Sequence, residues 1–161
     1  MALTPAQETT LAAHIRASQD AAVIAALAIR NDVELARLYN LPSASDAWQS
    51  AMSGRDLFEA TDVTKYDNIT KTGKREAWRM MLDFAPIDFT RQKYRKVCTD
   101  VWEVAADATA VLQACTRKAT VAEAAFGGSS ASTGGVSALK LVWEGTLSHE
   151  NVSLALNRNP V

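Results

Sequence analysis

The two histidines, His14 and His149, are the side chains best suited to acid–base or ligand chemistry near neutral pH. Neither has a cysteine or a second histidine at metal-ligand spacing, so both read as surface or helix-cap residues. Asp56, Glu59 and Asp62 recur at helical spacing, the kind of grouping that does acid–base or cation work. They lie in a polar segment with no apolar pocket signal, which makes them a solvated face. Gly127-Gly128-Ser129-Ser130 is glycine-rich, but no lysine follows and it does not lead from a strand into a helix. It reads as a linker rather than a phosphate cradle. No His-Glu-x-x-His, Gly-x-Ser-x-Gly or Walker-type pattern occurs. The expectation is a non-enzyme with no catalytic, metal or cofactor site.

The richest constellation is basic. Lys71, Lys74, Arg75 and Arg79 lie on one expected helix and its approach, and Arg91, Lys93, Arg95 and Lys96 on the next. Helical spacing sets Arg91 and Arg95 on a common line. Two readings stand: the solvated faces of two amphipathic helices, or a patch for an acidic partner or DNA phosphates. Trp78, Tyr94 and Trp102 fall on the apolar side and read as core, not as a base-stacking platform. Trp48 and Trp143 stand in weaker patterns, as local core or as subunit-interface anchors together with Leu139 and Leu141. Cys98 and Cys115 occupy apolar helical positions and read as small core residues of a reduced, cytosolic protein.

The elements that must position these residues are mostly helical. Thr4-Pro5-Ala6-Gln7 combines a cap, a first-turn proline and a capping box, starting a helix to about Ala17. Asp20 caps a short helix through Ile29, and Asn31 another to Tyr39, which Asn40-Leu41-Pro42 stops. Residues 43–72 are less regular, with a helical turn from Ser45 carrying Trp48 and Met52, and a polar loop from Asp62 to Thr72. Apolar stripes predict helices from Gly73 to Ala85, ended by Pro86, and from Thr90 to Trp102. A longer helix from about Ala106 to Phe126 aligns Ala108, Val111, Leu112, Cys115, Ala119, Ala122 and Phe126. Gly127 to Gly135 is expected to be a flexible loop. Ala138 to Glu144 alternates as a strand, and Ser148 caps a last helix, His149 to Leu156, with Asn157 and Pro160 beyond it. A single strand needs a partner for its backbone groups, expected from another subunit. The expected fold is therefore mainly α: a helical bundle with a short C-terminal β segment and terminal helix. It is one domain overall, with a helical body at 1–126 and a loop–strand–helix segment at 127–161 that is a candidate inter-subunit arm.

The 161 residues suffice for one domain with a sizeable core. Seventeen basic side chains against eighteen acidic ones leave no global field to hold DNA or an anionic membrane. Met1-Ala2-Leu3-Thr4-Pro5 lacks the basic start and apolar core of a signal peptide, and no apolar run reaches membrane-spanning length. A soluble chain is expected, with no membrane partner.

Several stretches together carry a resemblance. They are Leu3 to Ala17 with its Leu-Thr-Pro-Ala-Gln opening, Ala28-Ile29-Arg30-Asn31-Asp32 through Leu38-Tyr39-Asn40-Leu41-Pro42, and Trp48. Lys74 to Met81, Ala114 to Glu123, and Leu141-Val142-Trp143-Glu144-Gly145 follow. Their order resembles small virion-associated proteins from the structural gene blocks of tailed bacteriophages and prophages, across nearly the whole chain. The resemblance implies a virion structural protein made in the host bacterial cytoplasm. Within that class the chain is most similar to a head–tail connector, the neck adaptor that docks as a ring beneath the portal. Implied partners are further copies of the chain, the portal, tail or neck proteins, and packaged DNA touched through Lys71 to Lys96. A stopper, a tail terminator, a minor tail or baseplate protein, and a non-virion DNA-binding regulator are the alternatives.

Overall fold

The computed structural model describes residues 2–83 and 86–158. Ala85, expected as the last stripe position before Pro86, and Pro160 lie outside them. Among the described residues the chain forms ten helices and a four-stranded sheet. It is a mixed α/β protein, and the expectation of a helical bundle with one short β segment is corrected accordingly. No helix among the described residues is long and apolar enough to cross a membrane.

The chain divides into two compact units that interleave along the sequence. The first comprises residues 1–45, 118–129 and 141–161, and the second residues 46–117 and 130–140. These boundaries differ from the expected body at 1–126 and arm at 127–161.

In the first unit, α1 (Pro5–Ala17) begins as its sequence dictates: Thr4 Oγ1 accepts from Gln7 N, and Gln7 Oε1 accepts from Thr4 N at 2.9 Å. Asp20 caps α2 (Ala21–Ala28) and Asn31 caps α3 (Asp32–Tyr39). Two C-terminal elements complete the packing: α9 (Val121–Phe126), with a Thr120–Glu123 capping box, and α10 (His149–Arg158). Both lie against α1 and α3. Leu11, Ile15, Leu35, Tyr39, Val152 and Leu156 are buried between them. The loop before α10 is tied by Asn40, whose amide donates to Leu147 O at 2.9 Å and accepts from Leu147 N at 2.8 Å.

The second unit contains α4 (Gly54–Glu59), α5 (Val63–Asp67), α6 (Thr72–Asp83), α7 (Gln92–Val101) and α8 (Ala105–Ala114). Helix α6 packs on α4 and α7, and α7 on α8. Trp78 and Trp102 meet edge-to-face with ring centroids 5.4 Å apart, in a core that includes Trp48, Leu57, Phe89 and Leu112. At Gly54 a Cβ would stand 1.8 Å from Leu82 O, so α4 reaches its position only because that residue has no side chain.

The sheet overturns four expectations. Its order is β2-β1-β4-β3, with β1 (Pro42–Trp48), β2 (Thr116–Thr120), β3 (Gly128–Thr133) and β4 (Val136–Leu141). The expected helical turn at Ser45 is strand β1. It runs parallel to β4, with Ala47 opposite Leu139, so β4 has partners within its own chain and needs none from another subunit. The expected Ala106–Phe126 helix is broken by β2, where Thr116 and Thr120 bring β-branched residues that favour extended backbone. The expected flexible loop at 127–135 is strand β3 and a tight turn. Gly134 and Gly135 both have positive φ, 57° and 81°, as a two-residue type I′ hairpin requires.

Candidate interaction surfaces

The basic residues do not act as one group. Arg75 turns back on its own chain, donating from Nε to Ile69 O and from Nη2 to Asp67 O, each at 2.6 Å. Lys74 lies 3.9 Å from Glu103, and Lys96 3.0 Å from Asp100. Arg91 pairs with Asp88 at 2.9 Å. Burial pushes the Asp88 carboxyl up, but the Thr90 hydroxyl and amide and the Arg91 guanidinium outweigh it and hold Asp88 below the usual carboxylate value. Lys93 sits 4.7 Å from the centroid of the Tyr94 ring. Lys71 and Arg79 are exposed.

Arg95 leaves the expected surface line altogether. It is buried at 4% exposure, its guanidinium carbon 4.9 Å from the centroid of the Trp48 ring. Nη1 donates to Phe89 O at 2.7 Å and Thr90 O at 2.9 Å, and Nε to Thr133 Oγ1 at 3.0 Å. Its amphipathic position on α7 comes from what it holds: the loop before its helix and the end of β3.

The tryptophans offered as interface anchors are core residues. Trp48 is fully buried, and its indole N–H donates to Ala131 O at 2.9 Å. Trp143 is buried in the first unit, edge-to-face with Phe126 at 4.9 Å. Leu139 and Leu141 are half-buried on β4, an inner strand. Cys98 and Cys115 are buried free thiols, and Cys115 is pushed well above the ordinary thiol value by its contact with Cys98 and by burial.

Most of the remaining candidates are occupied locally. His14 Nδ1 lies 2.7 Å from the Tyr39 hydroxyl, and His149 is exposed at the start of α10. Asp56 accepts from Ser53 Oγ at 2.6 Å, Glu59 pairs with Arg55 at 2.9 Å, and Asp62 caps α5 through Thr64. Among the described residues no three His, Cys, Asp or Glu side chains gather in a way that could hold a metal ion. In the second unit a cavity of about 310 Å³ is lined mainly by Phe58, Val63, Tyr66, Trp78 and Leu82, a shape for a small apolar group.

One surface was not singled out from the sequence. Helix α2 is apolar on every side, Ala-Ala-Val-Ile-Ala-Ala-Leu-Ala, and Ile29 extends the run. Val23 and Ala26 face the core and Leu27 is half-buried. Ala21, Ile24, Ala25 and Ala28, spaced i, i+3, i+4 and i+7, form a second apolar stripe that is exposed. Ile24 is 50% exposed, and Ile29 and Val33 beyond it are 74% and 65% exposed. The signal was legible: nine consecutive apolar residues exceed what one buried face of a short helix needs.

Compared with known proteins, the chain matches no family model, no curated protein and no solved structure.

Proposed function

We propose that this chain is a structural protein of a tailed-phage particle, a head–tail connector that forms a ring below the portal. The observation that carries the reading is the uncovered apolar face of α2. Exposing this much aliphatic surface is unfavourable in a free protein and is explained by a surface that a neighbour covers. The choice of a tailed-phage virion protein rests on the order of sequence segments from Leu3 to Gly145, which resembles that class, and the choice of a connector within it on the chain's size and helical content. The sheet adds a second means of joining neighbours. Strand β3 is an edge, exposed along most of its length, and its outer backbone groups can extend the sheet of an adjacent subunit. Lys71, Arg79, Arg91, Lys93 and Lys96 are the exposed cations on α6, α7 and their approaches that would face packaged DNA.

The test is quantitative mass spectrometry of purified particles, scaled to the major capsid protein. A connector ring gives a copy number equal to, or a simple divisor of, the portal's rotational symmetry. Absence of the chain from the particle overturns the reading.

A further inference from the structure

The outer stripe of α2 is bounded by two opposite charges. Asp20 precedes the helix, Arg30 follows it, and no charged residue lies between them. Both are exposed, and each stands five residues from Ala25. Asp20 uses Oδ1 to cap the helix, accepting from Ala22 N at 2.8 Å and Val23 N at 3.2 Å. Arg30 is held at positive φ, 52°, its Nη2 donating to Asn157 Oδ1 at 2.8 Å, with Asp32 3.9 Å from Nε. The guanidinium has five N–H donors, more than these contacts use.

We propose that this stripe pairs with the same stripe of a second copy of the chain, antiparallel about a two-fold axis at Ala25. The pattern is self-complementary in that orientation alone. Antiparallel packing brings Asp20 of each copy beside Arg30 of the other, whereas parallel packing sets like charges together. It also sets opposite helix-dipole ends side by side. Ile29 of one copy falls over Ala21 of the other, a large side chain over a small one, and Ile24 flanks the axis from both sides. The alanines permit the close approach of two helices, about 8 Å between axes. A two-fold contact joins one patch to itself, so the neighbour that covers the α2 face is a copy outside the ring, and the ring contact, which joins two different surfaces, falls to other faces such as the β3 edge. One short helix per copy places the contact at the small end of specific interfaces, below roughly 1,200 Å² in total, so association is weak and concentration-dependent.

The experiment is sedimentation equilibrium of the 161-residue chain over a wide concentration range, with Ile24→Lys beside the wild type. Circular dichroism serves as the check that the variant is folded. The expected result is a monomer–dimer equilibrium in the wild type that Ile24→Lys weakens about tenfold or more. Ala25→Cys is expected to form a disulfide-linked dimer under mild oxidation by oxidised glutathione, while Val142→Cys, exposed elsewhere on the first unit, does not. A wild type that is monomeric at every concentration overturns the proposal. So does a dimer indifferent to Ile24→Lys, or one that cross-links as well through Val142→Cys as through Ala25→Cys. Such a failure leaves the particle copy number, and the connector reading with it, to be decided separately.

Discussion

Arg95 and Tyr39 show how much of this protein's stability rests on polar groups placed in its cores. Arg95 satisfies two loop carbonyls and a threonine hydroxyl while lying over Trp48. Burial pulls its pKa below the ordinary guanidinium value, and the nearby Asp88 carboxylate opposes that shift. Arg95→Ala removes those donors and opens the Trp48 face, so it should cost about 3 kcal/mol in a urea titration. Arg79→Ala, at an exposed site on α6, should stay within about 0.5 kcal/mol of the wild type. Equal midpoints for the two variants would show that Arg95 is not an internal tie. Burial, with the Asp20 charge added, pushes the Tyr39 hydroxyl up to about 12 from an ordinary 10.0. Between those values the unfolded chain releases the phenolic proton and the folded chain keeps it. Stability therefore falls as pH rises through that window, and the group contributes no pH dependence below it. The melting temperature of Tyr39→Phe should decline less steeply across the same window than that of the wild type.

At the scale of elements, local sequence determined the helix starts and tertiary pairing determined the strands. Thr4, Asp20, Asn31 and Ser148 cap where their spacing said, because a cap satisfies its orphan N–H groups from within four residues. Thr120 and Glu123 form the same capping box, so the division of the expected Ala106–Phe126 helix was legible in the sequence. The run of alanines concealed it, since alanine suits helix and its helical stripe continues through Ala119. The hairpin of β3 and β4 was likewise signalled by Gly134-Gly135, but serine, alanine and glycine carry no apolar alternation to separate a strand from a loop. Gly54 is the clearest element-level constraint that local spacing could not reveal. In Gly54→Ala the new methyl must displace the Leu82 carbonyl, a backbone atom of α6. The cost should be about 3 kcal/mol by thermal or urea unfolding, whereas Gly73→Ala, with nothing near its Cβ, should lose no stability.

For the whole molecule, the C-terminal segment is structural to both units rather than an appended arm. Strand β4 lies between β1 and β3, and α10 supplies Val152, Ala155 and Leu156 to the core formed with α1 and α3. A chain ending at Phe126 should therefore fail to fold, seen as loss of near-ultraviolet circular dichroism and of cooperative unfolding. A cooperative transition in that truncation would show that the segment is dispensable. Patterns within about seven residues were enough to determine most helices, their caps, the core roles of Trp78 and Trp102, and the absence of familiar catalytic motifs, since all of these depend on neighbours along the chain. Tertiary structure alone decided that Trp48 and Trp143 are internal, that Arg95 is drawn inside, and that β4 finds its partners at home. It also decided which stripe of the wholly apolar α2 is left uncovered. Each of those outcomes depends on residues far apart in sequence meeting in space, and burial and hydrogen bonding between distant segments are not encoded in the spacing of either one.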